Sequence, residues 1–386
     1  MSNTQMKIVI ILFYMTISHV SSLFFSIPSL WHRPQKPNPG PPPKKDLMTD
    51  QERFDLSWHV IGTVHDFPLN QPKKIQLKGK MYTIWKTADK YVAHENECPH
   101  KGASMANGYI HENCITCPYH GYEYNDNGKL TFVPGVSPIH SIGLPQGIIP
   151  ETVSKRPLFP DSEIHNLATY PIVKKGGWVW LNTIQHDNLY DNRIFLEPEA
   201  DDHTMYPIFL EMEYRANSRV VTENSLDIMH IAFVHTFGNR QDPNPIVTKP
   251  PSIIGLFHVG SSYLYKSGEK SLVKRYFDID DILIENQFVL SHTAIARIKF
   301  HNYTNTVVTY ASPINATHTK LFVKVYRNFW QGYIGDYAFR SWMRTTMEED
   351  KEIVEEIDPD FDGFNMRYDK LMNTYRTYYR KFYEWL

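Results

Sequence analysis

Apolar and polar positions alternate in short runs through most of this chain, and only a few segments change to a helical period. WHVIGTV, KIQLKGKMYTIWKT and KYVAHE, from Trp58 onward, read as small antiparallel strands, with Gly62, Gly79 and Asp89 at the turns. EYNDNGKLTFV carries a hairpin signal at Asn127-Gly128, and GWVWLN at 177–182 is a further strand. These pieces predict an all-β domain over 55–185. The second half opens with more strand-like sequence, then ENSLDIMHIAFVHTFGN (223–239) predicts a helix ending at Gly238. Residues 252–328 return to alternation in SSYLYKS, QFVLSHTAIARIKF, TVVTYAS and KLFVKVYRNFW, which predicts a sheet. A helix over 339–357 should stop at Asp358-Pro359. A last helix over 364–386 places Phe364, Tyr368, Leu371, Tyr375, Tyr378, Phe382 and Leu386 at helical spacing, as packing requires. The fold class is therefore α+β. The second domain, 186–386, is an antiparallel sheet with helices.

The N-terminus reads differently. Lys7 precedes an apolar run over 8–17 and small or polar residues over 18–22, the pattern of a signal-peptide core and its cleavage zone. That run is short for a membrane span, which needs about 20 apolar residues. The apolar text over 23–31 keeps an N-terminal anchor open as well. PQKPNPGPPP over 34–43 then predicts an extended polyproline spacer, so 1–50 is a targeting or anchoring segment followed by a linker. A length of 386 residues suits two domains, and a net charge of −2 with no basic stripe excludes nucleic acid. The 14% aromatic content suits β-rich cores or a pocket for a flat apolar molecule.

All the cysteines, Cys98, Cys114 and Cys117, fall within one stretch, ECPHKGASMANGYIHENCITCPYHG. That distribution leaves no disulfide framework and points to metal. Cys98 and His100 form one cluster, Cys117 and His120 another. Zinc commonly takes four Cys/His ligands, but usually as a Cys pair followed by a His pair. Here each cluster supplies one of each, which suits a [2Fe–2S] centre with thiolates on one iron and imidazoles on the other.

CPHKG and CPYHG match the two boxes of Rieske proteins, and the chain resembles a Rieske non-haem iron oxygenase over 55–360. The Rieske subunits of quinol-oxidising complexes carry one extra cysteine per box. Ala103 and Tyr119 stand at those places here, and Cys114 reads as a small buried residue. The resemblance implies a Rieske domain followed by a catalytic domain of helix-grip type. It also implies a mononuclear Fe(II) whose histidines come from Asn224-x-x-Asp227-x-x-His230-x₄-His235. Positions five apart lie about 140° around a helix, so His230 and His235 can share a metal only across a bulge or a broken turn. Two histidines and one carboxylate are the usual face for an oxygen-activating iron. In WMRTTMEEDKEIVEEI the apolar stripe runs through Met343, Met347, Val354 and Ile357, and Asp350 fills its gap. A carboxylate there is costly unless paired or metal-bound, which makes Asp350 the third candidate; Glu349 on the adjoining Trp342–Ile353 line is the alternative.

Further expectations come from the resemblance alone. Asp227 would link the mononuclear site to a cluster in a neighbouring subunit, implying a homotrimer, and Asn224 would lie near the iron. Electrons would come from a ferredoxin or an NAD(P)H-dependent reductase, O₂ would be consumed, and the substrate would be a hydrophobic small molecule. ENSLDIMHIAFVHT and the VPG after the second box look most like the branch containing pheophorbide a and chlorophyllide a oxygenases. Several of its members carry a C-terminal Cys-x-x-Cys, whereas no cysteine follows Cys117 here. Sterol, aromatic-acid and demethylating activities suit the same ligands. Asn302-Tyr-Thr and Asn315-Ala-Thr are sequons, yet a secreted chain would lack its electron donor, so a plastid route or a membrane anchor is expected. A different class of reading stands beside this one: a Rieske electron carrier with a non-catalytic second domain.

Overall fold

The computed structural model describes residues 48–134, 165–185, 193–361 and 363–386. The expected targeting segment, nearly all of the linker and Gly135 of the VPG triplet lie outside the described residues. Among the described residues no helix is long and apolar enough to cross a membrane.

The chain enters through α1 (Asp50–Leu56), which starts in a capping box: Glu52 N donates to Thr49 Oγ1, and Thr49 N donates to Glu52 Oε2. Phe54 and Leu56 are thereby buried. Small antiparallel sheets follow. β1 (Trp58–Thr63) ends up beside β10 (Trp178–Asn182), which also pairs with β9 (Ile172–Lys175). β2 (Lys73–Leu77), β3 (Lys80–Lys86) and β4 (Tyr91–Glu95) form a second sheet. β5 (Tyr109–His111), β6 (Cys114–Thr116), β7 (Glu123–Tyr124) and β8 (Leu130–Phe132) form a third. Trp85, Ile84, Val179 and Leu181 are wholly buried within this part. Cys114 is half-buried rather than buried, because β6 turns its thiol toward Thr131, whose Oγ1 donates to Cys114 Sγ at 3.7 Å.

The second part is a seven-stranded antiparallel sheet made from β11 (Ile208–Tyr214), β12 (Ile246–Gly255), β13 (His258–Lys266), β14 (Asp281–Val289), β15 (Thr293–Phe300), β16 (Tyr303–Pro313) and β17 (Thr319–Arg327). Its order is β11-β17-β16-β15-β14-β13-β12. This is the α+β arrangement expected. Lys324 ties the two parts together. It is fully buried, with Nζ donating to Glu197 Oε1 at 2.5 Å and to Gly176 O at 3.2 Å, over the Trp178 ring.

The helices depart from expectation in instructive ways. The helix expected over 223–239 is α2 (Ser218–Leu226) and a separate short α3 (Ile231–Val234). It starts early because Asn217 Oδ1 accepts from Arg219 N and caps it. It breaks at Asp227, whose backbone is extended and whose Oδ1 accepts from Met229 N at 2.8 Å. That local Asx turn competes with the helical ladder. Between β13 and β14 lies α4 (Leu272–Phe277), which was not expected. The helix expected over 339–357 is α5 (Tyr333–Val354), and Ile357 falls outside it and is exposed. The last helix is α6 (Lys370–Tyr378), followed by a π turn over Tyr379–Tyr383. The π turn moves burial from the expected Tyr378 and Phe382 to Tyr379 and Tyr383, while Phe364 lies ahead of the helix and is 88% exposed.

Candidate metal centres

The two Cys/His boxes form matching loops. Cys98 N donates to Ala103 O and Gly102 N to Cys98 O; Cys117 N donates to Tyr122 O and Gly121 N to Cys117 O. Each glycine has φ of +72°, a left-handed conformation that ends the turn and explains the shared fifth letter of CPHKG and CPYHG. The loops bury both thiols and carry the histidines outward, His120 being exposed. The His100 and His120 rings are 4.6 Å apart, and His100 stacks flat on Tyr122 at 4.5 Å. Burial pushes the Cys117 thiol up, with Cys98 hydrogen-bonded beside it. Cys98 Sγ and Tyr124 Oη are 3.5 Å apart. Two adjacent buried thiols facing two imidazoles, one with its Nδ1 buried and unpartnered, fit a [2Fe–2S] cluster with sulfur ligands inward and nitrogen ligands outward.

The second group of donors lies where α2 breaks. The break turns the chain so that His230 precedes α3 and His235 ends it in extended backbone. Their Nε2 atoms come within 3.2 Å. From α5, Asp350 Oδ1 lies 3.4 Å from His230 Nε2 and 3.5 Å from His235 Nε2. Ligands about 2.1 Å from a metal and about 90–110° apart are separated by about 3.0–3.4 Å, so this triangle fits one face of a coordination sphere. Asp350 Oδ1 is buried with no hydrogen-bond partner, and Asn224 hydrogen-bonds the same carboxyl group. Burial pushes Asp350 up and both histidines down, which leaves the imidazoles neutral and ready to ligate.

Glu349 stands behind His235, outside the triangle. Its Oε2 meets His235 Nδ1 at 2.9 Å, and its Oε1 accepts from Thr236 N at 3.3 Å. It therefore fixes the tautomer of His235 and aims Nε2 at the triangle. Phe237 stacks on the His235 ring and Trp342 packs against Phe237. Asp227 Oδ2 is 3.9 Å from His230 Nδ1, outside hydrogen-bond range, and the Asp227 backbone also supports that imidazole. Sequence reasoning had no signal for the stacking aromatics, since Phe237 lies beyond the expected ligand motif.

The triangle opens onto a cavity of ≈ 220 Å³ between the sheet and α5. Ile284, Ile298, Val307, Phe300, Phe329 and Trp342 typify its largely apolar lining.

The sequence matches the family described as "Rieske [2Fe-2S] domain" over residues 57–146. It is similar to methylxanthine N1-demethylase NdmA of Pseudomonas putida, 23% identical over 356 residues, covering 88% of this chain and 92% of that protein. The structure of NdmA with caffeine superposes with a TM-score of 0.67 over 86% of this chain and 92% of that one, at 21% identity. Dicamba monooxygenase bound to dicamba gives a TM-score of 0.69 over 85% of this chain and 97% of that one, at 16% identity. Pheophorbide a oxygenase, chloroplastic, of Oryza sativa subsp. japonica is 25% identical over 209 residues, half of this chain but only 36% of that protein.

Proposed function

The chain belongs to the Rieske non-haem iron oxygenases, enzymes with a [2Fe–2S] cluster and a mononuclear iron, and we propose that its own residues divide those groups between them as follows. Cys98, His100, Cys117 and His120 hold the cluster; His230, His235 and Asp350 hold the iron. When bound, the cluster supplies single electrons and the mononuclear iron supplies the capacity to activate O₂. The observation that carries this reading is the triangle of 3.2–3.5 Å made by His230, His235 and Asp350 at the mouth of an apolar cavity.

The side chains have distinct tasks. Glu349 accepts the Nδ1 proton of His235 and keeps Nε2 free to ligate. Asn224 holds the Asp350 carboxyl in place. Asp227 mediates electron entry at His230, across an interface with a second copy in a homotrimer; the outward-facing His120 and the Asp227 carboxylate 3.9 Å from His230 Nδ1 support that role. The aliphatic and aromatic walls exclude water and receive a hydrophobic ring compound, in keeping with relatives named for methylxanthine, dicamba and pheophorbide a. A chlorophyll derivative is the finer substrate reading, supported by the pheophorbide a oxygenase likeness over half of the chain. A ferredoxin or NAD(P)H-dependent reductase donates the electrons. The N-terminal apolar stretch directs the chain to a plastid or holds it at a membrane; a chloroplastic relative supports the former.

Substrate-dependent O₂ uptake with a ferredoxin and its reductase tests the reading. Asp350→Ala is expected to abolish product formation while the cluster is still reduced. An Asp350→Ala enzyme that turns over normally would remove the mononuclear site from the mechanism.

A further inference from the structure

Two asparagines stand among the aliphatic residues of the cavity, and the chemistry above uses neither. Asn286 of β14 and Asn305 of β16 line the cavity and are 2% and 5% exposed. Neither Oδ1 has a hydrogen-bond partner among the described residues. Asn286 donates from Nδ2 to Leu226 O at a long 3.5 Å, beside the break that carries Asp227. Asn286 pairs with Ala296 and Asn305 with Ile298, two residues further along β15. The amides therefore sit two strands and one side-chain row apart on one face, about 12 Å at standard strand spacings.

A buried amide left unpaired shifts the folding equilibrium against the native state by roughly tenfold. Their neighbours on the same face, Ile284, Ile298 and Val307, show that aliphatic side chains fit this floor. Asparagine is retained at two positions where a ligand could supply the missing partner.

Charge adds an independent constraint. Among the described residues no lysine or arginine lines the cavity, and its carboxylates are Asp227 and Asp350. The guanidinium nearest in register, Arg327 opposite Asn305, is paired with Asp336, donates to Trp330 O and lies over the Phe339 ring. Its buried Nε adds a hydrogen-bond donor near Asn305, but its charge is already offset. An anion entering this space would lose its hydration with no free side-chain cation among the described residues to replace it, and the two charges of a bound Fe(II) are matched by the carboxylates of Asp227 and Asp350.

Resting on the oxygenase reading, we propose that Asn286 and Asn305 select the substrate. It is an uncharged ring compound, mostly apolar, with neutral hydroxyl, keto or N–H groups placed to meet one or both amides. Each amide can present its oxygen or its nitrogen by rotation, so donors and acceptors are both read. Carboxylates and sulfonates are excluded.

The test is equilibrium binding to the purified full-length holoprotein, followed by fluorescence of Trp330 and Trp342 in the cavity wall. The probes are matched pairs differing only in charge: dicamba and its methyl ester, pheophorbide a and its methyl ester. An ester is expected to bind at least tenfold more tightly than its acid. Asn286→Leu or Asn305→Leu is expected to weaken that ester about tenfold. Acids that bind as tightly as esters, or leucine variants that bind esters as the parent does, overturn the proposal. If none of the probes binds, the melting temperature of the ligand-free protein decides. Selection predicts that each leucine variant melts at or above the parent temperature; a fall of several degrees would assign the amides to the fold. Iron and sulfide analysis of the same preparation keeps the outcomes separate. Missing iron defeats the oxygenase reading, whereas normal iron with tight anion binding defeats only this one.

Discussion

Glu349 offers a prediction whose size follows from the geometry. Removing its side chain leaves His235 Nδ1 without the carboxylate at 2.9 Å and Thr236 N without its acceptor. The imidazole can then adopt the other tautomer, with the proton on Nε2, and must pay to expel it before ligating. Loss of such an outer carboxylate typically weakens metal binding 10–100-fold, about 1.4–2.7 kcal/mol. Phe237 still stacks on the ring, so orientation is not lost entirely, which places Glu349→Ala within that range rather than above it. Glu349→Gln keeps an acceptor oxygen but not its charge, and should cost less than tenfold. The assay is anaerobic Fe(II) titration against a competing chelator, with the cluster's visible absorbance as an internal control of folding. Both variants should keep the cluster. Parent-like iron affinity in Glu349→Ala would refute the orienting role, and joint loss of iron and cluster would show a structural one.

Other expected outcomes follow. Asp227→Asn should retain both metals yet slow turnover sharply under steady reduction; normal turnover would end its mediating role. Burial holds His292 down at about 3 and His59 well below its usual value, so both are neutral when folded, while the unfolded chain protonates them below about 6.5. The unfolded state then binds more protons, so stability should fall as pH drops below about 6.5, by about 1.4 kcal/mol per pH unit for each histidine, for His292 until about pH 3. A melting temperature flat between pH 7.5 and 5.5 would contradict this. Lys324→Met leaves Glu197 buried beside Tyr326 without its cation and should cost about 3–5 kcal/mol in chemical denaturation. Gly121→Ala forces a side chain into φ of +72° with its Cβ 3.1 Å from Pro134, and should lower cluster occupancy with the iron site intact.

The candidate metal-binding text was legible because its pattern is local. Cys98-x-His100 and Cys117-x-x-His120 each fit within one turn, and the requirement for a break between His230 and His235 follows from helical period alone. Asp350 was readable as a carboxylate interrupting the stripe of Met343, Met347 and Val354, each of which is buried. What escaped depends on neighbours distant in sequence. Glu349 and Asp350 are adjacent letters, and only the placement of α5 beside His235 and Thr236 separates an orienting carboxylate from a ligand-like one. The early start of α2 rests on the Asn217 cap, and the buried tyrosines at the C-terminus rest on a π turn that periodicity does not anticipate. Asn286 and Asn305 look like ordinary strand residues until the register brings both onto the cavity face.

The central claim is that one chain holds an electron-storing cluster and a separate catalytic iron. Iron and acid-labile sulfide per chain, measured with the EPR spectrum of the reduced protein, test it most directly when parent and Asp350→Ala are compared. The parent should hold about three iron atoms and two sulfides, with the rhombic signal of a cluster ligated by two histidines. Asp350→Ala should lose about one iron and keep the sulfide and the signal. A colourless zinc protein, or a variant with the parent's full iron content, would contradict the account.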